Sequence, residues 1–324
     1  MAAEVVGFVG LGHMGIPMTR RLVAAGYQVR GFDTSAQARA NFATIGSADG
    51  VTVVAELALV GDGAAAVILM LPDSDVVERV LLGGGAAGRE RADGEHADGE
   101  HTDGEHTDGE HGDEGLLSCL APGKTVIDMS SSDPARTKVL AATMAEAGVT
   151  LIDAPVSGGV VGARTGTLTV MVGGPAVAFE RFKPMLAAIG ARVVHAGAVG
   201  AGHAVKALNN LMSAAHLLAS SEALVAGQRF GLDPAVMLEI INSSSGRSWS
   251  TQNKWPTFVL TEKYDAGFAL RLMLKDIKLA LAMEQATGTP STASEAVVAA
   301  WEAAAADLPA DADHTAIARW VADQ

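Results

Sequence analysis

The chain has 324 residues, 49% of them hydrophobic and 4% aromatic, which suffices for two domains with Ala, Val, Leu and Ile cores and excludes a disordered chain. Of its formal charge of -14, ten carboxylates fall within residues 92–114, which hold no Lys or Arg; without them the charge is -4, so neither a nucleic-acid surface nor a basic membrane-binding segment is expected. The single cysteine, Cys119, excludes an internal disulfide framework and no apolar run reaches 18 residues, so the expectation is a cytoplasmic protein without a cleaved leader.

Residues 5–9 form a short apolar strand that runs into Gly10-Leu11-Gly12-His13-Met14-Gly15 and then an amphipathic helix to about residue 25. In that context the glycines have distinct tasks. Gly10 permits the tight turn, Gly12 lets a pyrophosphate approach the backbone, and Gly15 lets the helix pack closely, while the amides of Leu11, His13 and Met14 face the phosphate charge at the helix start. A second strand, 27–32, ends at Asp33, whose carboxylate accepts ribose hydroxyls and repels a 2′-phosphate. With no arginine next to Asp33 and Thr34, NAD is expected in preference to NADP.

Residues 67–71 are a fully apolar strand of the buried parallel type, stopped at Pro72-Asp73, and Leu71 and Pro72 fall at its cofactor-facing end. A short helix is expected over 76–82. The stretch from 84 to 114 then carries four copies of Asp-Gly-Glu-His, which have nothing to bury and predict a disordered insertion rather than a metal site. Strand and helix alternation resumes with a strand at 125–129, a helix after Asp133-Pro134 and a strand at 150–153. Ser130, Ser131 and Ser132 follow one strand end and Ser157-Gly158-Gly159 the next, where a hydroxyl and backbone amides suit an anion. Strands at 167–172 and 192–195 flank a helix at 175–189. Beyond residue 200 only helices are expected, at about 201–230, 234–241, 268–287, 293–306 and 314–322. The pattern is an α/β Rossmann-type dinucleotide-binding domain over 1–198 followed by an all-α domain over 199–324, assigned to substrate and dimerisation.

The first of those helices places Gly202, Lys206 and Asn210 on one face. A lysine and an asparagine on a largely apolar helix need partners, and an unpaired ammonium there is costly. His203, a rival base, falls toward a different edge. The apolar run from 208 to 225 exceeds what one small helical domain covers, which predicts a homodimer or homotetramer.

Together these motifs resemble the β-hydroxyacid dehydrogenase family, of the 3-hydroxyisobutyrate dehydrogenase and 2-hydroxy-3-oxopropionate reductase type. The resemblance rests on the glycine loop 10–15, Asp128-Met-Ser-Ser131, the run from Asp153 to Gly159, Gly202-x-x-x-Lys206-x-x-x-Asn210 and Lys275-Asp276, and it covers the chain apart from the repeat insertion. It implies a catalytic lysine at Lys206 with Asn210 as its partner, and a substrate carboxylate on Ser157, Gly158 and Gly159. It also implies cofactor contacts from Leu71, Pro72, Ser131 and Lys275. The run Ser244-Ser245-Gly246-Arg247-Ser248-Trp249 resembles the 3-hydroxyisobutyrate dehydrogenases and brings Arg247 and Trp249 to the substrate, whereas Asp128-Met-Ser-Ser131 is closer to the hydroxyoxopropionate reductases. The implied reaction is NAD-dependent hydride exchange with a small 3-hydroxy acid. The alternatives are a tartronate semialdehyde or related aldehyde reductase and, from a different class, a non-catalytic nucleotide-binding scaffold.

Overall fold

The computed structural model describes residues 3–45, 50–84 and 114–324, which separate into two compact units, Met1–Gly202 and His203–Gln324. The repeat insertion expected at 84–114 lies almost wholly outside the described residues.

The first unit is built on β1 (Val5–Val9), α1 (Gly15–Ala24), β2 (Gln28–Phe32), α2 (Ala36–Ala43), β3 (Val51–Val53), β4 (Ala66–Leu69) and α3 (Ser74–Leu82). It continues through β5 (Thr125–Asp128), α4 (Pro134–Glu146), β6 (Thr150–Asp153), β7 (Val156–Ser157), α5 (Gly159–Thr165), β8 (Thr169–Gly173), α6 (Ala176–Ile189) and β9 (Arg192–Gly197). The sheet runs β3-β2-β1-β4-β5-β6-β8-β7, with β9 beside β8. From β3 to β6 every pairing is parallel, as in a Rossmann fold, and the order reverses between β1 and β4, where the carboxyl ends of the strands open a crevice.

The central strands alternate between two apolar layers. Val6, Phe8, Ile68, Ile127 and Ile152 belong to one core with Met18 and Leu22 of α1; Val9, Val67, Leu69, Val126 and Leu151 belong to the other with Val77 and Leu140. Side chains fix the helix starts. Asp73 accepts from the Val76 amide at 3.0 Å, and Asp133, before Pro134, accepts from the Ala135 amide at 2.7 Å.

The second unit takes α7 (Ala201–Phe230), α8 (Pro234–Asn242), a π-helical stretch Ser250–Val259, α9 (Leu270–Ala286), α10 (Thr292–Asp307) and α11 (Ile317–Asp323). Its core joins Leu211, Leu217 and Leu224 of α7 to Trp255, Ile277 and Trp301. Leu211, Ala214, Leu217, Leu218, Leu224 and Val225 are all buried within one chain, so this stretch of α7 is covered by its own unit and carries no argument for a second copy.

Candidate active site

In the first unit, the glycines of the loop differ in what surrounds them. Gly10 has φ +97°, and a Cβ there would strike the Met70 carbonyl, so the turn between β1 and α1 passes against the end of β4. At Gly15 a Cβ would strike the Gly10 carbonyl, which is how α1 packs so tightly onto the turn. Around Gly12, by contrast, an added Cβ meets nothing within 4 Å. No side chain caps α1 and no acid occupies its first turn, so the amide end of the helix faces open space. The residues present thus fit a dinucleotide pyrophosphate: a cradle closed below by backbone and clear above.

Asp33 sits at the end of β2, and its Oδ2 accepts from the Leu11 amide at 2.7 Å and its Oδ1 from the Ser35 amide at 2.8 Å. These bonds tie the ribose-side acid to the glycine loop and leave each oxygen further lone pairs for hydroxyls. The expectation that no arginine lies near needs one amendment. Arg39, one turn into α2, donates to the Asp33 carbonyl at 2.5 Å and to the Thr34 carbonyl at 3.0 Å. Its charge is engaged with backbone oxygens beneath the loop. A cavity of about 500 Å³ opens beside this loop, lined by Gly12, His13, Ser35 and Asn41 among others.

Leu71 and Pro72 follow β4, and the Leu71 amide donates to Ser130 Oγ at 3.0 Å. Of the three serines after β5, Ser130 therefore holds two strand ends together. Ser132 donates to Asp128 Oδ2 at 3.1 Å, and Ser131 is the one that keeps part of its surface open. Asp153, fully buried, accepts from the Gly200 amide at 2.6 Å, so this acid shapes the backbone. Ser157 ends β7 half-buried. Gly158 and Gly159 follow with φ +127° and +60°, and at Gly159 an added Cβ would meet nothing.

In the second unit, Lys206 lies on α7, half-buried, with its ammonium 6.0 Å from the centre of the Phe268 ring. Desolvation pushes its pKa below that of an ordinary lysine; the Asp276 carboxylate opposes this and the Lys275 ammonium adds to it. Asn210, one turn on, is buried, but its amide donates to Asp276 Oδ2 at 2.6 Å. The partner inferred for Lys206 thus acts on the acid that faces the lysine. Lys275 reaches Asp276 Oδ1 at 3.0 Å, off the axis of a directed hydrogen bond, as an ion pair. His203 is buried. Arg247 is exposed and Trp249 is 65% exposed, so neither is held in place by packing.

Sequence reasoning assigned no role to Asp276 or Lys254. Asp276 was visible only as the second half of Lys275-Asp276. Lys254 is 7% exposed and donates to Ser213 Oγ at 2.9 Å.

Comparison with known proteins shows the family. Residues 5–96 and 102–197 match the NAD binding domain of 6-phosphogluconate dehydrogenase, and residues 200–321 match the family model described as NAD-binding of NADP-dependent 3-hydroxyisobutyrate dehydrogenase. The 3-hydroxyisobutyrate dehydrogenase of Pseudomonas aeruginosa is 38% identical over 289 residues, 87% of this chain and 85% of that one. The chain belongs to the 3-hydroxyisobutyrate dehydrogenase family. Within the family, 2-(hydroxymethyl)glutarate dehydrogenase of Eubacterium barkeri is 37% identical over 276 residues, 85% of this chain and 81% of that one. The structure of the Mycobacterium tuberculosis 3-hydroxyisobutyrate dehydrogenase with L-serine superposes with a TM-score of 0.82 at 30% identity, over 98% of this chain and 99% of that chain. The chain is an NAD(P)-dependent oxidoreductase of the hydroxyacid dehydrogenase class. Among the described residues no helix is long and apolar enough to cross a membrane.

Proposed function

We propose that this dehydrogenase uses NAD to oxidise the primary alcohol of a small 3-hydroxy acid, or reduces the matching semialdehyde, with Lys206 as the group that moves the hydroxyl proton. The observation that carries the reading is the placement of Lys206 on α7, one turn before buried Asn210 and beside the acid that Asn210 holds, Asp276; desolvation, which lowers the lysine pKa, suits a general base. The bound nicotinamide supplies the hydride acceptor at its C4. Everything else falls to the chain.

The first unit is assigned to the dinucleotide. The loop from Gly10 to Gly15, with the amides of Gly12, His13 and Met14, holds the pyrophosphate; the Leu11 amide, expected on the phosphate, is instead held by Asp33 Oδ2, and Asp33 accepts the ribose hydroxyls. Leu71, Pro72 and Ser131 border the nicotinamide side. An acid at Asp33 disfavours a 2′-phosphate, and the Arg39 guanidinium, engaged on two carbonyls, does little to offset it.

Ser157 and the amides of Gly158 and Gly159 receive the substrate carboxylate, with Arg247 and Trp249 as further substrate contacts. The second unit supplies Lys206. Asn210 and Lys275 act on Asp276, whose charge sets how readily Lys206 gives up its proton, and Lys275 also serves the cofactor.

The acids named for the relatives, 3-hydroxyisobutyrate and 2-(hydroxymethyl)glutarate, and the L-serine found with the third all carry a hydroxymethyl on the carbon bearing the carboxylate. They differ only in the other substituent. That shared unit is the proposed substrate class.

The test is the change in absorbance at 340 nm with NAD and each of the three acids, for the wild type and Lys206→Ala. Loss of about 10²–10⁴-fold in kcat with NADH affinity retained is expected of a proton-transfer residue. Turnover unchanged in the variant would refute the assignment.

A homodimer in solution belongs to the same proposal. Phe230, Leu232, Val236 and Ile240 are all at least half exposed and line the end of α7 and one face of α8. Light scattering at micromolar concentration should give twice the chain mass; the mass of one chain would refute it.

A further inference from the structure

Lys254 presents a physical problem that the proposed reaction does not use. Its side chain is 7% exposed, yet its ammonium has one hydrogen-bond acceptor, Ser213 Oγ at 2.9 Å, and no carboxylate within ion-pair distance among the described residues. An ammonium carries three donors, and leaving a buried one uncompensated is strongly unfavourable. The acid whose field it feels, Asp313, is committed elsewhere. Asp313 Oδ2 accepts from the amides of Gly267 at 2.8 Å and Phe268 at 3.1 Å, and Oδ1 accepts from the Thr315 amide and hydroxyl at 2.9 and 2.5 Å and faces His314.

The position of this cation matters as much as its shortage of acceptors. Ser213 lies seven residues after Lys206 and three after Asn210, so all three lie along one face of α7, and seven residues advance the helix by about 10 Å. The Lys254 ammonium is thus anchored two turns along the face that carries Lys206, and the two charges feel each other. The segment that delivers it, Ser250–Val259, is π-helical, a rare conformation that is frequent at functional sites.

We propose that Lys254 is a specificity determinant that receives a second anionic group on the substrate, so that the preferred 3-hydroxy acid is a dicarboxylate whose variable substituent ends in a carboxylate. The proposal rests on the reading of Lys206 as the proton-transfer group. An acid whose hydroxymethyl lies at Lys206 and whose side chain extends along α7 by two or three carbons brings an anion to Lys254, where it supplies the missing acceptor. Burial lowers the Lys254 pKa to about 8, with the Asp313 carboxylate opposing and the Lys206 ammonium adding to the shift, close enough to neutrality for the bound anion to keep it charged. Serine, whose substituent is an ammonium directly on the carbon bearing the carboxylate, supplies no anion to Lys254 and adds a like charge.

The experiment uses the full chain, with NAD, on a charge series at one position: 2-(hydroxymethyl)glutarate with an anionic substituent, 3-hydroxyisobutyrate with a methyl, and L-serine with an ammonium. In the wild type kcat/KM should fall in that order. In Lys254→Met the ratio of the first to the second should drop tenfold or more, and Lys254→Arg should restore part of it. A wild type without preference for the dicarboxylate, or a preference that persists in Lys254→Met, overturns the proposal. If none of the three acids turns over, the reading of the reaction fails separately, and thermal denaturation of the NAD-loaded protein decides the inference. A rise in Tm with the dicarboxylate that Lys254→Met abolishes upholds the anion site, and equal shifts in both proteins overturn it.

Discussion

At the scale of single residues, the chemistry depends on how two ammonium groups and one side-chain amide share one buried acid. Asp276 is 1% exposed and faces Lys206 electrostatically while holding the Asn210 amide at 2.6 Å and the Lys275 ammonium at 3.0 Å. Burial lowers the pKa of Lys206 and Asp276 raises it, so removing that negative charge lowers it further. In the oxidation direction the neutral amine is the active form, and kcat/KM rises with pH through the Lys206 pKa. Asp276→Asn should move this acidic limb to lower pH, with NADH affinity the internal control. A limb that stays in place, or moves up, would show that Asp276 does not tune the lysine. Nothing in the sequence revealed this arrangement, because Asn210 and Asp276 are 66 residues apart and the family motif marks only that both are present. Lys206 itself was legible, since four-residue spacing puts it on one face with Gly202 and Asn210.

At the scale of elements, the junction of β1 and α1 separates packing from binding. A Cβ at Gly15 collides with the carbonyl of Gly10, which is backbone and cannot swing aside; at Gly12 the same atom enters empty space, at an ordinary negative φ. Gly15→Ala should therefore lower both the Tm of the ligand-free protein and its affinity for NADH. Gly12→Ala should leave the Tm of the ligand-free protein unchanged or slightly higher, because alanine restricts the unfolded chain, yet weaken NADH by tenfold or more. Equal NADH binding by Gly12→Ala and the wild type would mean that the pyrophosphate does not lie over this turn. These strands and helices were readable because period-two and period-3.6 apolar patterns, the capping Asp73 and Asp133, and the glycine loop all agreed. What was not readable was short or irregular. β3 has three residues, two of them exposed; α2 has little amphipathic pattern and buries only Phe42; and the π-helical stretch around Lys254 follows neither period and contains Pro256. The same irregularity left Lys254 looking like one polar residue among several.

At the scale of the whole molecule, the repeat insertion is the feature that the family pattern does not contain, and the described residues on its two sides show how the fold accommodates it. Gly83, with φ +85°, closes α3, and Gly115 opens the 3-10 turn Leu116–Cys119. A Cβ on Gly115 would strike the Leu81 carbonyl and the backbone of Leu82 and Gly83, so the chain leaves and re-enters the first unit at one place. Leu81 and Leu116 on either side are each no more than 1% exposed and share one core with Val77 and Leu120. A loop whose ends already meet is closed by the fold itself, and shortening it changes the closure entropy only logarithmically, by about 0.6 kcal/mol per halving. Deleting residues 92–112, which hold most of the excess negative charge, should leave the Tm within about 2–4 °C of the full chain, the shift expected for 1 kcal/mol in a protein of this size, and should leave kcat/KM unchanged. Thermal denaturation and the 340 nm rate, measured side by side, check this. A large loss of stability would show that the four Asp-Gly-Glu-His copies contribute to the core around Leu81 and Leu116, and a loss of rate alone would tie them to the cofactor end of β4 and α3.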